Sequence, residues 1–273
     1  MSLRLVYRGQ TNVPVEVEGI TPDIVRALAL PEIETLPVFH GNQKAVLADF
    51  FTVSGNASDG QMEWDGELSG VHWIGAKMTG GRIHISGPAG RHVGSEMSGG
   101  EIHADHNVGD WVGGEMRGGL IHVRGRAGHL VGAAYRGSAR GMVGGAILIQ
   151  KEAGNEIGHT MRRGVIAIGG NAGDLAGFSM LAGTIFMFGE SGIRHGAGMR
   201  RGTIAFLSHQ HPPMLPSFRR ACRIRPEMLQ LVLRFLQRHE FPVDDQLFRS
   251  DMELYNGDMI NGGRGEILLR CAS

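Results

Sequence analysis

The stretch Gly81-Arg82-Ile83-His84-Ile85-Ser86-Gly87-Pro88-Ala89-Gly90 decides the fold, because its pattern returns seven times along the chain. Two columns of identical residues show the period. The glycine column is Gly75, Gly94, Gly113, Gly132, Gly158, Gly177 and Gly196, and the methionine column is Met78, Met97, Met116, Met142, Met161, Met180 and Met199. Successive members are nineteen residues apart in every step but one, which is twenty-six. A period this short predicts a solenoid of stacked coils.

The single long step comes from a seven-residue insertion, Tyr135–Gly141, after which both columns resume in phase. In repeat proteins such extra residues lie on loops, often on the binding face. Arg136 and Arg140 stand beside Tyr135 in this insertion. Their guanidinium groups are therefore expected either to hold a carboxylate-rich ligand or to form salt bridges with another subunit.

Each repeat contains a short alternating stretch whose first and third side chains point to one face. These inward columns are apolar: Ile83, Ile102, Ile121, Ile147, Ile166, Ile185 and Ile204, then Ile85, Ala104, Val123, Ile149, Ile168, Met187 and Phe206. Stacking the coils about 4.8 Å apart would pair every strand with its neighbours. The sequence thus predicts an all-β fold, a right-handed parallel β-helix of about seven coils.

Glycines and methionines of the repeat are interpreted as structural. The glycines at Gly90, Gly109, Gly128, Gly154, Gly173 and Gly192, and pairs such as Gly80-Gly81 and Gly118-Gly119, are expected at corners where positive φ is needed. The methionine column is expected to fill the core. A phosphate-binding role for the glycines is disfavoured, because the chain lacks the strand–glycine loop–helix context of such sites.

Three segments are predicted. Residues 1–45 form an N-terminal cap, with strands at Leu3–Tyr7 and Val13–Val17 and a helix from an N-cap at Thr21 to about Leu30. Residues 46–207 form the solenoid. Residues 208–273 form a C-terminal segment with a helix at about 226–239, which packs on the solenoid because the late coils are apolar on both faces; a partner subunit is the other candidate to cover them.

Bulk composition limits the partners. Lys and Arg total 27, as do Asp and Glu, so net charge gives no reason to expect nucleic acid. The chain starts without a signal-peptide pattern and contains no run of eighteen apolar residues, so a cytoplasmic protein without a membrane span is expected. Cys222 and Cys271 are far apart and form no Cys-x-x-Cys motif, which predicts two reduced thiols rather than an iron–sulfur cluster or structural zinc.

Side chains that could carry chemistry are few. His84, His103 and His122 share one outward column, so their rings are expected about 5 Å apart and parallel, with Asp65 as the carboxylate one coil earlier. Parallel rings do not converge on a metal, so polar surface or a contact between subunits is expected instead. Glu101 and Asp105 come nearest to an acid–base pair. No catalytic residue and no metal ligand is assigned in this chain.

Several motifs resemble a known family over most of the chain, most strongly from about residue 45 to 207. They are Asp49-Phe50-Phe51, Gly99-Gly100-Glu101-Ile102, Gly118-Gly119-Leu120-Ile121, the loop Ala134–Met142, Ala153–Gly158, Met161-Arg162-Arg163-Gly164 and the ending Tyr255-Asn256-Gly257-Asp258 with Gly265-Glu266-Ile267. The sequence resembles the C-type subunit of formylmethanofuran dehydrogenase and equally the C-type subunit of the bacterial formyltransferase/hydrolase complex. More distantly it resembles the C-terminal glycine-rich domain of glutamate synthase.

The resemblance implies a non-catalytic docking subunit in one-carbon metabolism. In the bacterial complex a formyltransferase subunit passes formyl from formyl-tetrahydromethanopterin to a methanofuran-type carrier, and a zinc amidohydrolase-like subunit releases formate. The carrier and the zinc are thus expected in partner subunits, and no cofactor in this chain.

Three alternatives stay open. The first is the C-type subunit of an archaeal molybdenum or tungsten formylmethanofuran dehydrogenase, which reduces CO2. The second is a solenoid that is itself an enzyme. The third is a solenoid that guides the carrier, with Arg136 and Arg140 on its glutamate-rich tail.

Overall fold

The structure is a computed structural model that describes residues 2–9 and 11–271. Within these residues it contains seventeen β-strands and four short-to-medium α-helices. Thirteen strands form one long sheet and four form a second, smaller one. The protein is therefore mostly β. None of the helices in the described part of the chain is long and apolar enough to cross a membrane.

The N-terminal segment closes one end of the long sheet. Its strands are β1 (Leu3–Tyr7), β2 (Val15–Glu16), β3 (Pro37–His40), β4 (Gln43–Val46) and β5 (Phe51–Ser54), and its helices are α1 (Pro22–Val25), α2 (Leu30–Glu34) and α3 (Leu47–Phe50). Strand β1 lies between β5, which is antiparallel to it, and the first strand of the repeats, which is parallel. The first coil thus has a neighbour on its outer side, which protects its edge.

Two predicted elements of this segment differ in length from the observed ones. The strand expected at Val13–Val17 is confined to two residues. The helix expected to run from Thr21 to about Leu30 ends at Val25, and a second helix begins at Leu30 with Pro31 in its first turn. Ala29 takes the extended N-cap conformation of that second helix, and its N–H donates a 2.7 Å hydrogen bond to the Glu32 carboxylate.

The repeats supply a parallel ladder of strands. These are β6 (Gln61–Asp65), β7 (Val71–His72), β8 (Arg82–Ile85), β9 (Glu101–Ala104), β10 (Leu120–Val123), β11 (Ala146–Ile149), β12 (Val165–Ile168), β13 (Thr184–Met187) and β14 (Arg201–Phe206). All except β7 pair in the order of the repeat, so that Ile83 lies opposite Ile102. The insertion leaves this register intact, since Ile121 lies opposite Ile147.

The predicted core columns are confirmed. The isoleucine column that begins at Ile83 and the methionine column that begins at Met78 are fully buried along their whole length. A second line of parallel bridges, from Leu68 to Ala89 to Val108, also joins successive repeats. Identical side chains therefore stack on one another inside the repeats, which buries what a single repeat leaves exposed.

Glycines of the corners fall into two groups with different roles. The second glycine of each pair adopts positive φ as predicted, for example 90° at both Gly81 and Gly119. The column through Gly90 and Gly109 does not, so the prediction for it is wrong. A Cβ on Gly109 would lie 2.9 Å from the carbonyl carbon of Gly90 in the preceding coil. These glycines are required because successive coils approach closely there.

The C-terminal segment extends the sheet and covers one of its faces. It contains β15 (Arg219–Ile224), α4 (Glu227–Arg238), β16 (Met252–Gly257), β17 (Arg264–Arg270) and two short 3-10 helices, Asp245–Arg249 and Met259–Asn261. Strand β17 pairs in parallel with β14, and β16 and β15 follow as antiparallel strands.

Helix α4 packs on the apolar outer face of the late strands. Outward side chains such as Leu148 and Phe186 are fully buried in one cluster with Leu229, Leu233 and Leu236 of the helix. The chain therefore buries this outer face with its own helix, and a second hydrophobic core forms between α4 and the outer side of the sheet.

Candidate functional site

The histidine column occupies neighbouring strands as predicted, but its rings are not parallel. His84 lies opposite His103, and His103 opposite His122. The rings of His103 and His122 have centroids 5.9 Å apart and planes inclined by 62°. The residue opposite His84 on the preceding strand is Glu63, so the expectation that Asp65 takes this place is wrong by two positions.

The three histidines of this column make different contacts. His84 Nε2 lies 2.7 Å from the Asp105 carboxylate, and Arg82 binds Glu101 at 2.9 Å. The two acidic candidates therefore lie in partly exposed ion pairs. Among the described residues, no group of three or more His, Cys, Asp or Glu side chains stands close enough to hold a metal ion.

His122 is the buried member of the column. It is 4% exposed, and its Nε2 accepts a 2.9 Å hydrogen bond from the Gln150 amide. That amide also donates to the carbonyl oxygen of Glu240, just after α4. Burial, and then the neighbouring His103 and Arg124, lower the pKa of His122 from 6.5 to about 4. This ring therefore helps to hold the end of α4 on the repeats as a neutral acceptor.

The insertion is anchored at its aromatic end. Tyr135 packs against the ring of His92, with centroids 5.6 Å apart, and its N–H donates to Glu115 at 3.1 Å. His92 itself stacks on Trp73 at 3.9 Å with planes only 1° apart. Burial raises the pKa of Tyr135 to about 12. Residues 136–140 that follow are exposed.

The two arginines of the insertion are placed differently. Arg140 lines a cavity of about 1280 Å³, whereas Arg136 is exposed and does not line it. The cavity lies along the corner where the chain enters β12, β13, β14 and β17. Six arginines line it: Arg140, Arg162, Arg163, Arg200, Arg201 and Arg264.

These six arginines form a basic surface, in which Leu181 and Ala182 separate Arg162 and Arg163 from Arg200 and Arg201. Arg201 lies directly opposite Arg264 in the parallel pair β14–β17, and Arg163 has the same phase two coils earlier. No Asp or Glu lines the cavity, and none of the six arginines forms an ion pair with a carboxylate in the described part of the chain. The chain as a whole is neutral, so the positive charge at this cavity is a local excess.

Such a surface suits a ligand with several negative charges. Guanidinium groups donate paired hydrogen bonds to carboxylates and phosphates, and rows of them concentrate anions from solution. Thr160, Ser179 and Thr184 add polar side chains to the lining. The sequence predicted only Arg140 of this set. The signal for four of the others was the recurrence of two arginines after the methionine, at Met161-Arg162-Arg163 and Met199-Arg200-Arg201, whereas Arg264 lies outside this pattern.

Comparisons with known proteins give sequence relatives that match part of the chain and a solved structure that matches nearly all of it. No family model matches the chain. The C-type subunit of molybdenum-containing formylmethanofuran dehydrogenase 1 of Methanothermobacter marburgensis is 40% identical over 91 residues, which are 33% of this chain and 23% of that protein. The C-type subunit of tungsten-containing formylmethanofuran dehydrogenase 2 of Methanothermobacter thermautotrophicus is 38% identical over 93 residues, which are 33% of this chain and 34% of that protein. The match thus spans about a third or less of these relatives.

Among solved structures, the chain is similar to a chain in the crystal structure of the formyltransferase/hydrolase complex of Methylorubrum extorquens with methylofuran. The two chains superpose with a TM-score of 0.89 and are 29% identical, over 98% of this chain and 100% of the other. The likeness therefore includes both end segments as well as the repeats.

Proposed function

We propose that this chain, a homologue of the C-type subunit of formylmethanofuran dehydrogenase, is a non-catalytic structural and docking subunit of a cytoplasmic formyltransferase/hydrolase complex. In this complex, a formyltransferase subunit transfers formyl from formyl-tetrahydromethanopterin to a methanofuran-type carrier. A zinc amidohydrolase-like subunit then hydrolyses the formyl carrier to formate. The zinc and the reacting end of the carrier are assigned to those partners, and the rigid ladder of this chain positions them.

The scaffold itself is proposed to be a right-handed parallel β-helix over residues 46–207, with caps at 1–45 and 208–273. The support is the regular parallel register, since connections between parallel strands are almost always right-handed. Parallel strands of this kind also give a stiff, elongated surface with room for more than one partner.

The arginine-lined cavity carries the functional part of the proposal. We assign it to the anionic tail of the carrier, with Arg140 and the rows of Arg163, Arg201 and Arg264 as its ligands. Six guanidinium groups without carboxylate partners would otherwise repel one another across one corner of the protein. A tail with several carboxylates removes that repulsion and gains charge-assisted hydrogen bonds.

The test uses the purified complex with one substitution in the insertion and one at the start of β14. Arg140→Ala combined with Arg201→Ala should raise the apparent KM for the carrier by about tenfold or more, with the larger effect at low salt. Arg136→Ala removes the same charge from the same loop outside the cavity and serves as the matched control. An unchanged KM in an intact complex with the double substitution would refute the assignment.

Two alternatives make different predictions for the same preparation. If the chain belongs to a molybdenum or tungsten formylmethanofuran dehydrogenase, as its sequence relatives do, subunits with a pterin and iron–sulfur clusters should co-purify in place of a formyltransferase. If the solenoid is an enzyme, alanine at one of the four candidate positions should abolish turnover while assembly is retained; these positions are Glu101, Asp105, His103 and His122. The ion pairs of the first three at the surface favour a structural role instead.

A further inference from the structure

A second, smaller cavity lies at the opposite end of strand β17 from the basic surface. Arg264 begins β17 and lines the large cavity, whereas Arg270 ends the strand and lines the small one. Six residue steps of extended strand separate them, which corresponds to about 20 Å. The small cavity has a volume of about 390 Å³ and is distinct from the site assigned to the carrier.

Arg270 is a buried charge without adequate partners. The residue is only 6% exposed. Its guanidinium contacts the Leu207 carbonyl oxygen at 3.4 Å, the Gln246 side-chain oxygen at 3.5 Å and the Asp244 carboxylate at 3.8 Å. Its Nε is buried and has no hydrogen-bond acceptor in the described chain. Charge-assisted hydrogen bonds are normally about 2.7–2.9 Å long, so this cation is left under-compensated.

The walls of the cavity add further positive charge. Arg223, Arg225 and Arg249 line it together with Arg270, and Asp251 is its one acidic lining residue. Asp251 is already bound by Arg223 at 3.0 Å and by Arg225 at 2.8 Å. Arg249 forms no ion pair with a described carboxylate. Two of the four guanidinium groups thus lack a close anion.

A buried polar group that lacks partners usually marks a bound ion, a water molecule or a ligand. We propose that this cavity binds one small oxyanion, a phosphate or carboxylate group, held by Arg270 from the buried side and by Arg249 from the exposed side. Gln246 and Ser250 add hydrogen-bonding groups to the lining. The oxyanion comes either from a free small molecule or from an acidic side chain of a neighbouring subunit.

Inorganic phosphate is the probe for a first test on the full chain. Phosphate should bind saturably and raise Tm relative to chloride at equal ionic strength, because a ligand that binds only the folded chain stabilises it. Arg249→Gln should weaken phosphate binding by about tenfold or more without loss of folding, since Arg249 is exposed. Arg234→Gln removes an exposed arginine from helix α4, away from the lining of this cavity, and should leave binding unchanged.

Arg270→Met tests the buried side, because methionine fills similar space without a charge. This variant should lose the phosphate response entirely. The same titration on the assembled complex identifies the source of the anion: retained binding indicates a free ligand, and binding present only in the isolated chain indicates a carboxylate from a neighbouring subunit. The proposal is overturned if phosphate and chloride act alike on the isolated chain, or if Arg249→Gln binds phosphate as the wild type does.

Discussion

Acidification should destabilise the protein through two histidine rings held neutral by the fold. The pKa of His122 is lowered from 6.5 to about 4 by burial and then by His103 and Arg124, and the pKa of His92 is lowered to about 4 by burial and then by His72 and Arg91. The unfolded chain therefore binds more protons than the folded one between these values. The stabilisation is complete above about pH 6.5 and decreases as the pH falls towards 4.

The magnitude follows from the pKa of His122. A fall in pKa from 6.5 to about 4 corresponds to at most about 3 kcal/mol. Between pH 7 and pH 5, this ring should account for a loss of about 2 kcal/mol in the free energy of unfolding, and the less deeply buried His92 for a smaller loss because solvent screens its charge. Protonation of His122 also removes the acceptor for the Gln150 amide, so the end of helix α4 should loosen first.

The assay compares urea unfolding of the wild type and His122→Gln at pH 7 and pH 5, followed by circular dichroism. Glutamine does not titrate, so the variant should lose about 2 kcal/mol less than the wild type over this interval. Burial is the largest cause of the lowered pKa, and the difference should therefore persist at about 0.5 M salt. An equal loss in both proteins would show that His122 is not kept neutral by the fold.

Three further predictions concern the stack and its loop. Gly109→Ala should lower the free energy of unfolding, measured with urea, by about 2 kcal/mol, because the new Cβ would clash with the backbone of Gly90. Gly80→Ala is the control: its Cβ would have no neighbour within 4 Å, so the free energy of unfolding should hardly change. Leu233→Ala should lower the free energy of unfolding by about 3 kcal/mol and raise amide hydrogen exchange in α4 more than in β13. An equal increase in both elements would show that α4 does not open independently of the sheet. Tyr135→Ala should speed tryptic cleavage within residues 136–140, and an unchanged rate would show that the tyrosine does not anchor the insertion.

Periodicity was enough to predict the ladder of parallel strands and the buried apolar columns. Both features depend on which side chains are buried, and the alternation of apolar residues such as Ile83 and Ile85 predicts that directly. The sequence pattern could not show which corner glycines adopt positive φ and which lie where two backbones approach closely. Positive φ and close backbone approach both select glycine, and only the three-dimensional structure, through φ and the space around each Cβ position, distinguishes them.

The candidate site was predicted only in part. Arg140 was found because the insertion interrupts the period, whereas Arg163 and Arg201 lie within the period and looked like ordinary surface residues. Sequence spacing does not show that their charges lack partners, since that depends on every carboxylate nearby. Arg270 was missed for the opposite reason: the sequence ending gives no sign that this arginine is buried.

The undisturbed register across the insertion has an evolutionary consequence. Ile121 pairs with Ile147 as if the seven extra residues were absent, so changes of length at that corner do not reach the core. Related proteins can therefore have a longer, shorter or different insertion while the ladder of strands stays the same. Whole coils can likewise be gained by duplication, in steps of one repeat. The insertions and the ladder of strands can thus evolve independently in this architecture.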